Sequence, residues 1–292
     1  MKAKNSFKNR LDNILRSRKF LIAMLILGLL ILIYPLISNL YYNIKQENHI
    51  NEYDKLIEGM NEAEIKKIFE SAYEFNSELY YRGGKDILSE PKFSYIEESK
   101  RDNTYPEYFD NDKLIARVEI PKIKTKIPIY VGVEEDILKR GCGFMLPSTL
   151  PVGGYDTNSV ITAHRGLPEN RLFRDLDQLK NEDIFFIKIL GKTLAYKVNK
   201  KEIIKPTDFS KLSIEDGEDE VTLLTCHPYT INSHRLIVKG HRVEYNEEIE
   251  KEAKKQKDDN FWQLFFAKYK EYIYGILIFL IISGIVKIKE KK

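Results

Sequence analysis

Cysteine is scarce in this sequence, and its scarcity limits the kinds of fold and site that the chain can build. Two cysteines, Cys142 and Cys226, occur among 292 residues. Two thiols cannot form a disulfide framework or a four-thiolate zinc site, and no pair among the five histidines has a metal-ligand spacing. A single bridge between Cys142 and Cys226 stays open, and it would silence both thiols. The sequence otherwise predicts no metal site.

An excess of charge of either sign is also absent. The chain has 47 Lys and Arg against 44 Asp and Glu, a net charge of +3, and the basic residues concentrate near the termini. A domain that binds nucleic acid usually carries a strongly basic face. The composition therefore argues against a nucleic-acid partner.

Long apolar runs are missing from the middle of the chain and occur near its two ends. Residues 1–19 carry seven Lys or Arg and one Asp, and an uncharged apolar run follows over residues 20–40, about the length that crosses a bilayer core. Because flanking basic residues stay on the cytoplasmic side, we expect a transmembrane helix with a cytoplasmic N-terminus. A cleaved signal peptide is the alternative, although the run is longer than a usual signal core and no small-x-small cleavage site follows it.

The second apolar run is shorter, and lysines flank it on both sides. It predicts a transmembrane helix over residues 271–287, because lysines can snorkel and tyrosines can lie at the level of the headgroups. A buried C-terminal helix is the alternative. The basic tail again indicates the cytoplasm, so the residues between the two spans are expected outside the cell.

The region between the spans changes from a helical to a β pattern. Asn61 followed by Glu64 resembles a capping box, and Gly83–Gly84 would end the helix that it starts. We expect Cys142, between two glycines, in a turn, a brief helix over 172–179, and a charged linker over 245–260. Short β-branched or alternating runs predict a closed or sandwich-like β domain, with strands at 114–120, 127–130, 159–163, 184–189, 193–198, 221–227 and 235–244.

The chain is organised around a cysteine at the end of one of these strands. Cys226 follows the apolar run Val221–Thr225, which Pro228 stops, and Arg235 opens the next strand after a short polar loop. The thiol and the guanidinium can therefore lie side by side, and a fixed cation favours a thiolate or a developing oxyanion. Taken alone, Cys226 fits a buried core cysteine better than a catalytic one, and the wider pattern reverses this interpretation. Two other arginines, less well placed, are rivals for the cationic role: Arg165 and Arg242.

A catalytic cysteine also needs a group that carries protons, usually histidine. His164 ends the strand at 159–163 and begins a glycine-containing loop, so it too lies at a strand end. The other four histidines are less well placed. Two adjoin Cys226 and Arg235 and so point to the opposite face of their strands, one lies inside a predicted strand, and one lies near the first span: His227, His234, His241 and His49. Position therefore favours His164.

Several spaced motifs resemble the sortase family. Thr222–Cys226 matches the sortase signature TLxTC, Thr162–Gly166 resembles the segment that carries the sortase histidine, and Arg235 falls where sortases keep their arginine. Other features are similar to class C, the pilin-polymerising sortases, namely Cys226–Tyr229, Asn232 with His234 and Arg235, Leu150–Gly154, Ile120–Ile123 and the double anchor. The resemblance covers roughly residues 50–244.

The resemblance implies an eight-stranded β-barrel and a transpeptidase that uses Cys226, His164 and Arg235. The thiolate of Cys226 would attack the threonine carbonyl of an LPXTG-like sorting signal, with Arg235 holding the substrate or the oxyanion. His164 would protonate the leaving amine and later deprotonate an acceptor amine, which in class C is a lysine of another pilin. No metal or cofactor is implied.

Class C sortases also share a lid with an Asp-Pro-aromatic tip. Here the segment Glu90–Phe93 follows the glycine pair at the right distance, with Glu for Asp and an inserted lysine. The resemblance would place Glu90 against Arg235, with Pro91 at the tip and Phe93 over Cys226. A surface loop without a gating role is the alternative.

These interpretations divide the chain into eight parts. They are a cytoplasmic tail (1–19), a transmembrane helix (20–40), an extracellular helical region (41–84), a lid-like loop (85–112), the catalytic barrel (113–244), a charged linker with an interfacial segment (245–270), a transmembrane helix (271–287) and a cytoplasmic tail (288–292). Two other functions fit the same sequence. One is a sortase that attaches surface proteins to peptidoglycan, and the other is an inert membrane-tethered binding module whose thiol is structural or disulfide-bonded.

Overall fold

The computed structural model of the chain describes residues 18–81, 105–110, 112–167, 170–255, 270 and 273–278. The chain divides into two units. One consists of the terminal segments Met1–Tyr41 and Asn260–Lys292, and the other is Tyr42–Asp259.

The first element is a long helix, α1, that spans Arg18–Glu58. From Ile22 it is long and apolar enough to cross a membrane, and within the described ranges it is the one helix with these properties. The N-terminal apolar helix is thus present as predicted, but it continues past residue 40 to Glu58. Residues 273–278 of the second apolar run are helical, and the rest of that run lies outside the described residues.

The second helix, α2, spans Glu62–Leu79 and packs one face against the β domain. Asn61 caps it as predicted, because its side chain accepts a hydrogen bond from the backbone of Ala63 (2.9 Å). On the buried face, Phe69 and Ala72 join the main apolar core. The helix ends at Leu79, and the glycine pair that was expected to end it lies outside the described residues.

Eight strands form a closed barrel in the order β1-β2-β3-β4-β7-β8-β6-β5, which confirms the predicted eight-stranded barrel. The pairs β2–β3 and β4–β7 are parallel, and the other pairs are antiparallel. The strands are β1 (Leu114–Ile120), β2 (Thr125–Val131), β3 (Cys142–Phe144), β4 (Thr157–Thr162), β5 (Ile184–Ile189), β6 (Lys192–Ile204), β7 (Asp219–His227) and β8 (His234–Val243).

Cys142 begins β3 and does not lie in a turn, so this expectation was wrong. A Cβ atom on Gly143 would collide with the carbonyl oxygen of Gly132, so the glycine allows two backbones to approach closely inside the sheet. Cys142 is fully buried, and burial raises the pKa of its thiol well above the usual value. Both cysteines are free, so the bridge between Cys142 and Cys226 is not formed.

Two further expectations about helices were wrong. The pattern over 172–179 forms turns and a short 3-10 helix at Leu176–Gln178 rather than an α-helix. The charged segment expected as a linker contains a helix, α4, at Glu247–Lys255, which packs Ile249 and Ala253 against the outside of the barrel. A short helix, α3, also connects β2 to β3 over Glu135–Arg140.

Candidate active site

The end of β7 and the start of β8 place a cysteine and an arginine directly opposite each other. The two strands are antiparallel, and the register pairs Cys226 with Arg235 and His227 with His234. Directly opposite residues project to the same face of a sheet, with their Cβ atoms about 4.5–5.5 Å apart. The thiol of Cys226, which is free and partly exposed, therefore shares one face of the barrel wall with the guanidinium of Arg235.

His164 reaches the same level from the neighbouring strand. The register of the parallel pair β4–β7 ends with Thr162 opposite Leu224. Contact continues beyond it, because the backbone N–H of Ala163 donates to the carbonyl of Leu224 (3.2 Å) and the hydroxyl of Thr225 donates to the carbonyl of Ala163 (2.8 Å). Two parallel chains advance together, so His164 comes level with Cys226.

The ring of His164 faces a carboxylate on α3. Its Nε2 atom lies 3.4 Å from Oε2 of Glu135, and the side chains are 25% and 62% exposed, respectively. This distance suits an ion pair with a protonated imidazole, although Nε2 has no hydrogen-bond partner among the described residues. The ring therefore lies near a carboxylate without a hydrogen bond to it.

Arg235 is held by its own loop. Its Nη1 atom donates to the carbonyls of Asn232 (3.3 Å) and His234 (3.1 Å). In the part of the chain that the structure describes, no carboxylate lies within ion-pair distance of its guanidinium. Its positive charge is therefore not neutralised by any described carboxylate and can act on an anion at the same strand ends.

The two rival arginines lie elsewhere. Arg165 is buried behind the strand end, where it donates to the carbonyl of Cys226 (3.3 Å). Arg242 lies far along β8 from Arg235, where it approaches Asp219 (3.8 Å) and Tyr196 (3.4 Å). Since Asp219 starts β7 and Cys226 lies near its end, Arg242 belongs to the opposite end of the barrel.

The other histidines have structural partners. Nδ1 of His227 lies 2.8 Å from Nη1 of Arg165, and burial together with this cation lowers the pKa of His227. An arginine can only donate, so Nδ1 accepts and the neutral ring carries its proton on Nε2. His49 on α1 contacts the hydroxyl of Tyr130 (2.8 Å), and His241 pairs with Glu220 inside the β7–β8 ladder.

Sequence reasoning missed two acidic residues near the site. Glu135 faces His164, and Asp177 forms an ion pair with Arg165 (3.0 Å). No motif marks either residue, because each comes from a connection that folds back onto the strand ends. No group of three or more candidate metal ligands occurs among the described residues. The expected lid residues Glu90, Pro91 and Phe93 lie outside the described residues.

Comparison with known proteins gives one family. Residues 118–243 match the sortase domain. A crystal structure of sortase C from Streptococcus pneumoniae is 40% identical, with a TM-score of 0.58, and the similarity covers 68% of this chain and 97% of that one. A structure of sortase C from Clostridium perfringens with the C-terminal cell wall sorting motif is 36% identical, with a TM-score of 0.58, over 68% of this chain and 99% of that one.

A curated relative, sortase D of Bacillus subtilis (strain 168), is 29% identical over 131 residues, or 43% of this chain. The match spans 62% of that relative's length. The similarity to the class C structures is higher and covers nearly all of each of them. The chain therefore belongs to the sortase family of cysteine transpeptidases, and within that family to class C.

Proposed function

We propose that the chain is a membrane-anchored transpeptidase that joins an LPXTG-like sorting signal to a lysine amine of another pilin subunit. The observation that supports the proposal is that Arg235 pairs with Cys226 across β7 and β8, while β4, which His164 follows, pairs with β7 up to Leu224. A nucleophile, a proton carrier and a cation are what acyl transfer through a thioester requires.

In the first half of the reaction, the thiolate of Cys226 attacks the carbonyl carbon of the threonine in the sorting signal. The S–C bond forms while the carbonyl electrons move onto oxygen, and the guanidinium of Arg235 stabilises that oxyanion or orients the peptide. The C–N bond to the next residue then breaks. The leaving amine takes a proton from His164, and an acyl-thioester remains on Cys226.

In the second half, His164 takes a proton from the acceptor amine as that amine attacks the thioester. The amide bond forms, the C–S bond breaks, and Cys226 returns as a thiolate. Since the thioester preserves the acyl group in reactive form, no metal or cofactor is needed for either half.

The relatives support the choice of substrate. The Clostridium perfringens sortase C was solved with a C-terminal cell wall sorting motif, and the Streptococcus pneumoniae sortase C structure was described in terms of pilin substrate specificity. We infer that this chain uses a sorting signal of the same kind as its acyl donor and a pilin as its acceptor.

The proposed location is the cell membrane, with the barrel outside the cell and both termini in the cytoplasm. The long apolar helix α1 and the basic residues before it support an N-terminal anchor. The second span rests on the apolar run over 271–287. With Cys142 and Cys226 both replaced by alanine, a single cysteine placed in either tail should react with a membrane-impermeant maleimide only after the cells are permeabilised.

The mechanism is tested by trapping the acyl-enzyme. The full-length chain in detergent is incubated with a synthetic LPXTG peptide, quenched in acid and weighed by intact-protein mass spectrometry. We expect an acyl adduct that peptide mapping places on Cys226. Cys142→Ala is the matched control and should keep the adduct, whereas Cys226→Ala should lose it. No adduct on the wild type, or an unchanged adduct on Cys226→Ala, would refute the mechanism.

The same assay measures the other two roles. His164→Ala should slow acylation by about 10²- to 10⁴-fold, the usual contribution of a general acid. Arg235→Ala should slow it by about 10²- to 10³-fold, the usual loss when an oxyanion partner is removed. Product analysis with a pilin and with a peptidoglycan peptide as competing acceptors then decides the acceptor. Transfer to the peptidoglycan amine alone would exclude pilin polymerisation.

A further inference from the structure

Arg165, the residue after His164, contacts the backbone of Cys226. Its position in the motif does not predict this contact. Arg165 is 6% exposed, which is rare for a charged side chain that lies on a loop. Its guanidinium contacts four groups from two segments of the chain. They are the carbonyl of Arg174 (3.1 Å, from Nε), the carbonyl of Cys226 (3.3 Å, from Nη1), Nδ1 of His227 (2.8 Å, from Nη1) and Oδ2 of Asp177 (3.0 Å, from Nη2).

These contacts lie where the backbone ladder between β4 and β7 has stopped. The last paired residues are Thr162 and Leu224, and the last bond on the β4 side is the one that the hydroxyl of Thr225 donates to the carbonyl of Ala163. Beyond it, His164 leaves the sheet, and its own carbonyl accepts from the backbone of Phe173 (3.2 Å). In the described part of the chain, the bonds from Arg165 are what ties the loop that carries His164 to the backbone of Cys226.

The geometry of the guanidinium suits this task. It is planar and rigid, and its donors point in fixed directions to both sides, so one group can bond β7 through Nη1 and the 174–177 segment through Nε and Nη2. A lysine would keep the charge but could not satisfy acceptors on opposite sides at once. Asp177, the one carboxylate in the cluster, is 48% exposed and so only partly offsets the buried charge.

We propose that Arg165 is a positioning residue that fixes the separation between the imidazole of His164 and the thiol of Cys226. The inference deepens the proposed function and rests on it. Arg165 contacts the backbone of the nucleophile and the side chain of the next residue, so it acts through Cys226 and not on the substrate. A displacement of about 1 Å between reacting groups can cost about 10²-fold in rate.

The test compares substitutions of neighbouring arginines in the full-length chain. Arg165→Gln removes the charge and most of the fork, and Arg165→Lys keeps the charge alone. Arg171→Gln is the matched control, because Arg171 lies on the same connection and pairs with Asp175 (2.7 Å) without reaching β7. Peptide transfer is measured as kcat and KM. Labelling of Cys142 by iodoacetamide counts the unfolded molecules, because this thiol is fully buried in the folded chain, so that kcat refers to folded sites.

We expect both Arg165 variants to lower kcat by about 10- to 100-fold with KM within about threefold of the wild type, while Arg171→Gln changes neither by more than about threefold. A general loss of structure would instead raise the labelling of Cys142 and leave kcat per folded site unchanged. If Arg165→Lys equals the wild type, the charge suffices and the positioning role is wrong. It is also wrong if Arg165→Gln behaves like Arg171→Gln.

Two further results distinguish failure of this inference from misfolding of a variant and from failure of the proposed function. If Arg165→Gln does not fold, the comparison of Arg165→Lys with Asp177→Asn decides, because Asp177→Asn leaves the bonds to Cys226 and His227 in place. It should cost no more than about fivefold, as expected for a half-exposed pair, and an equal loss in the two variants would refute the inference. A wild-type chain that forms no acyl adduct would instead refute the proposed function.

Discussion

A buried ion pair between Lys239 and Glu220 holds the two strands that carry Cys226 and Arg235. Nζ of Lys239 lies 2.7 Å from Oε2 of Glu220, and each side chain is 2% exposed. The pair crosses β7 and β8 diagonally, because the register places Lys239 opposite Thr222. A slip of one residue between these strands would turn every side chain of one strand to the other face, so the pair and the site depend on the same register.

The magnitude follows from burial. Removing one partner of a fully buried pair leaves an uncompensated charge and costs about 3–5 kcal/mol, whereas replacing both by apolar residues of similar volume is often neutral or stabilising by about 1–4 kcal/mol. We therefore expect Lys239→Met to lower the free energy of unfolding by about 3–5 kcal/mol. Glu220→Leu should cost less, because Lys239 keeps its ion pair with Glu215 (3.2 Å). The double substitution should be more stable than either single one.

The raised pKa of Glu220 also indicates that the double substitution by apolar residues should be tolerated. Burial raises it above the usual value, and the hydrogen bond from Lys239 opposes that effect. A carboxyl whose folded pKa is raised adds most stability below its unfolded pKa, and this contribution is lost as the pH rises through the folded pKa. Ionising Glu220 at neutral pH therefore costs stability, and an apolar residue avoids this cost.

The assay is urea unfolding of the full-length chain in detergent, followed by the near-ultraviolet circular dichroism of the buried aromatic residues. Lys251→Met is the control, because Lys251 pairs with Glu247 at 3.3 Å on the surface, with side chains 70% and 83% exposed. It should cost less than about 1 kcal/mol. A double variant that loses the sum of the two single losses would contradict the reasoning. A single loss no larger than that of the control would do so as well.

Three other predictions concern the surroundings of the site. Asn76→Ala should lower the free energy of unfolding by about 1–3 kcal/mol in urea, because it leaves the buried backbone N–H of Leu150 unpaired, which now donates to Asn76 at 2.7 Å, whereas the carbonyl of Leu150 keeps the bond from Val152 (2.8 Å); a loss below about 0.5 kcal/mol would speak against it. Glu135→Gln should change the acylation rate by less than about fivefold, since the contact with His164 is mostly exposed at the carboxylate; a larger loss in stopped-flow kinetics would place that carboxylate in the reaction. A thiol reagent should label one of the two cysteines in the folded chain and both in urea, because Cys142 is fully buried; two labels in the folded chain would contradict the burial.

Much of the barrel could be predicted because most strands carry their own signal. β1 and β5 have the predicted bounds, since each is a run of apolar or alternating residues between clear breaks. β3 has only three residues and begins in a Gly-Cys-Gly sequence, so local propensity indicated a turn. Its strand conformation depends on parallel pairing with β2, a contact that sequence spacing does not reveal. The charge of α4 similarly concealed two apolar residues that pack on the barrel.

The candidate site divides in the same way. Cys226, His164 and Arg235 could be picked out because each lies at a strand end, and the order of strands in a sheet brings such ends together. The role of Arg165 depends on the loop over 170–177 folding back to cover it. No local sequence pattern predicts that this loop folds back over Arg165. A supporting residue such as Arg165 was therefore harder to predict from the sequence than Cys226, His164 and Arg235.

The closed order of the strands affects how the barrel associates with other molecules at high protein concentration. Each of the eight strands of the barrel has a neighbour on both sides, so no strand of this sheet lies wholly at an edge. Open-edged sheets crowded together tend to add strands to one another and aggregate. A closed barrel is therefore less prone to this kind of aggregation than an open sheet with the same strands.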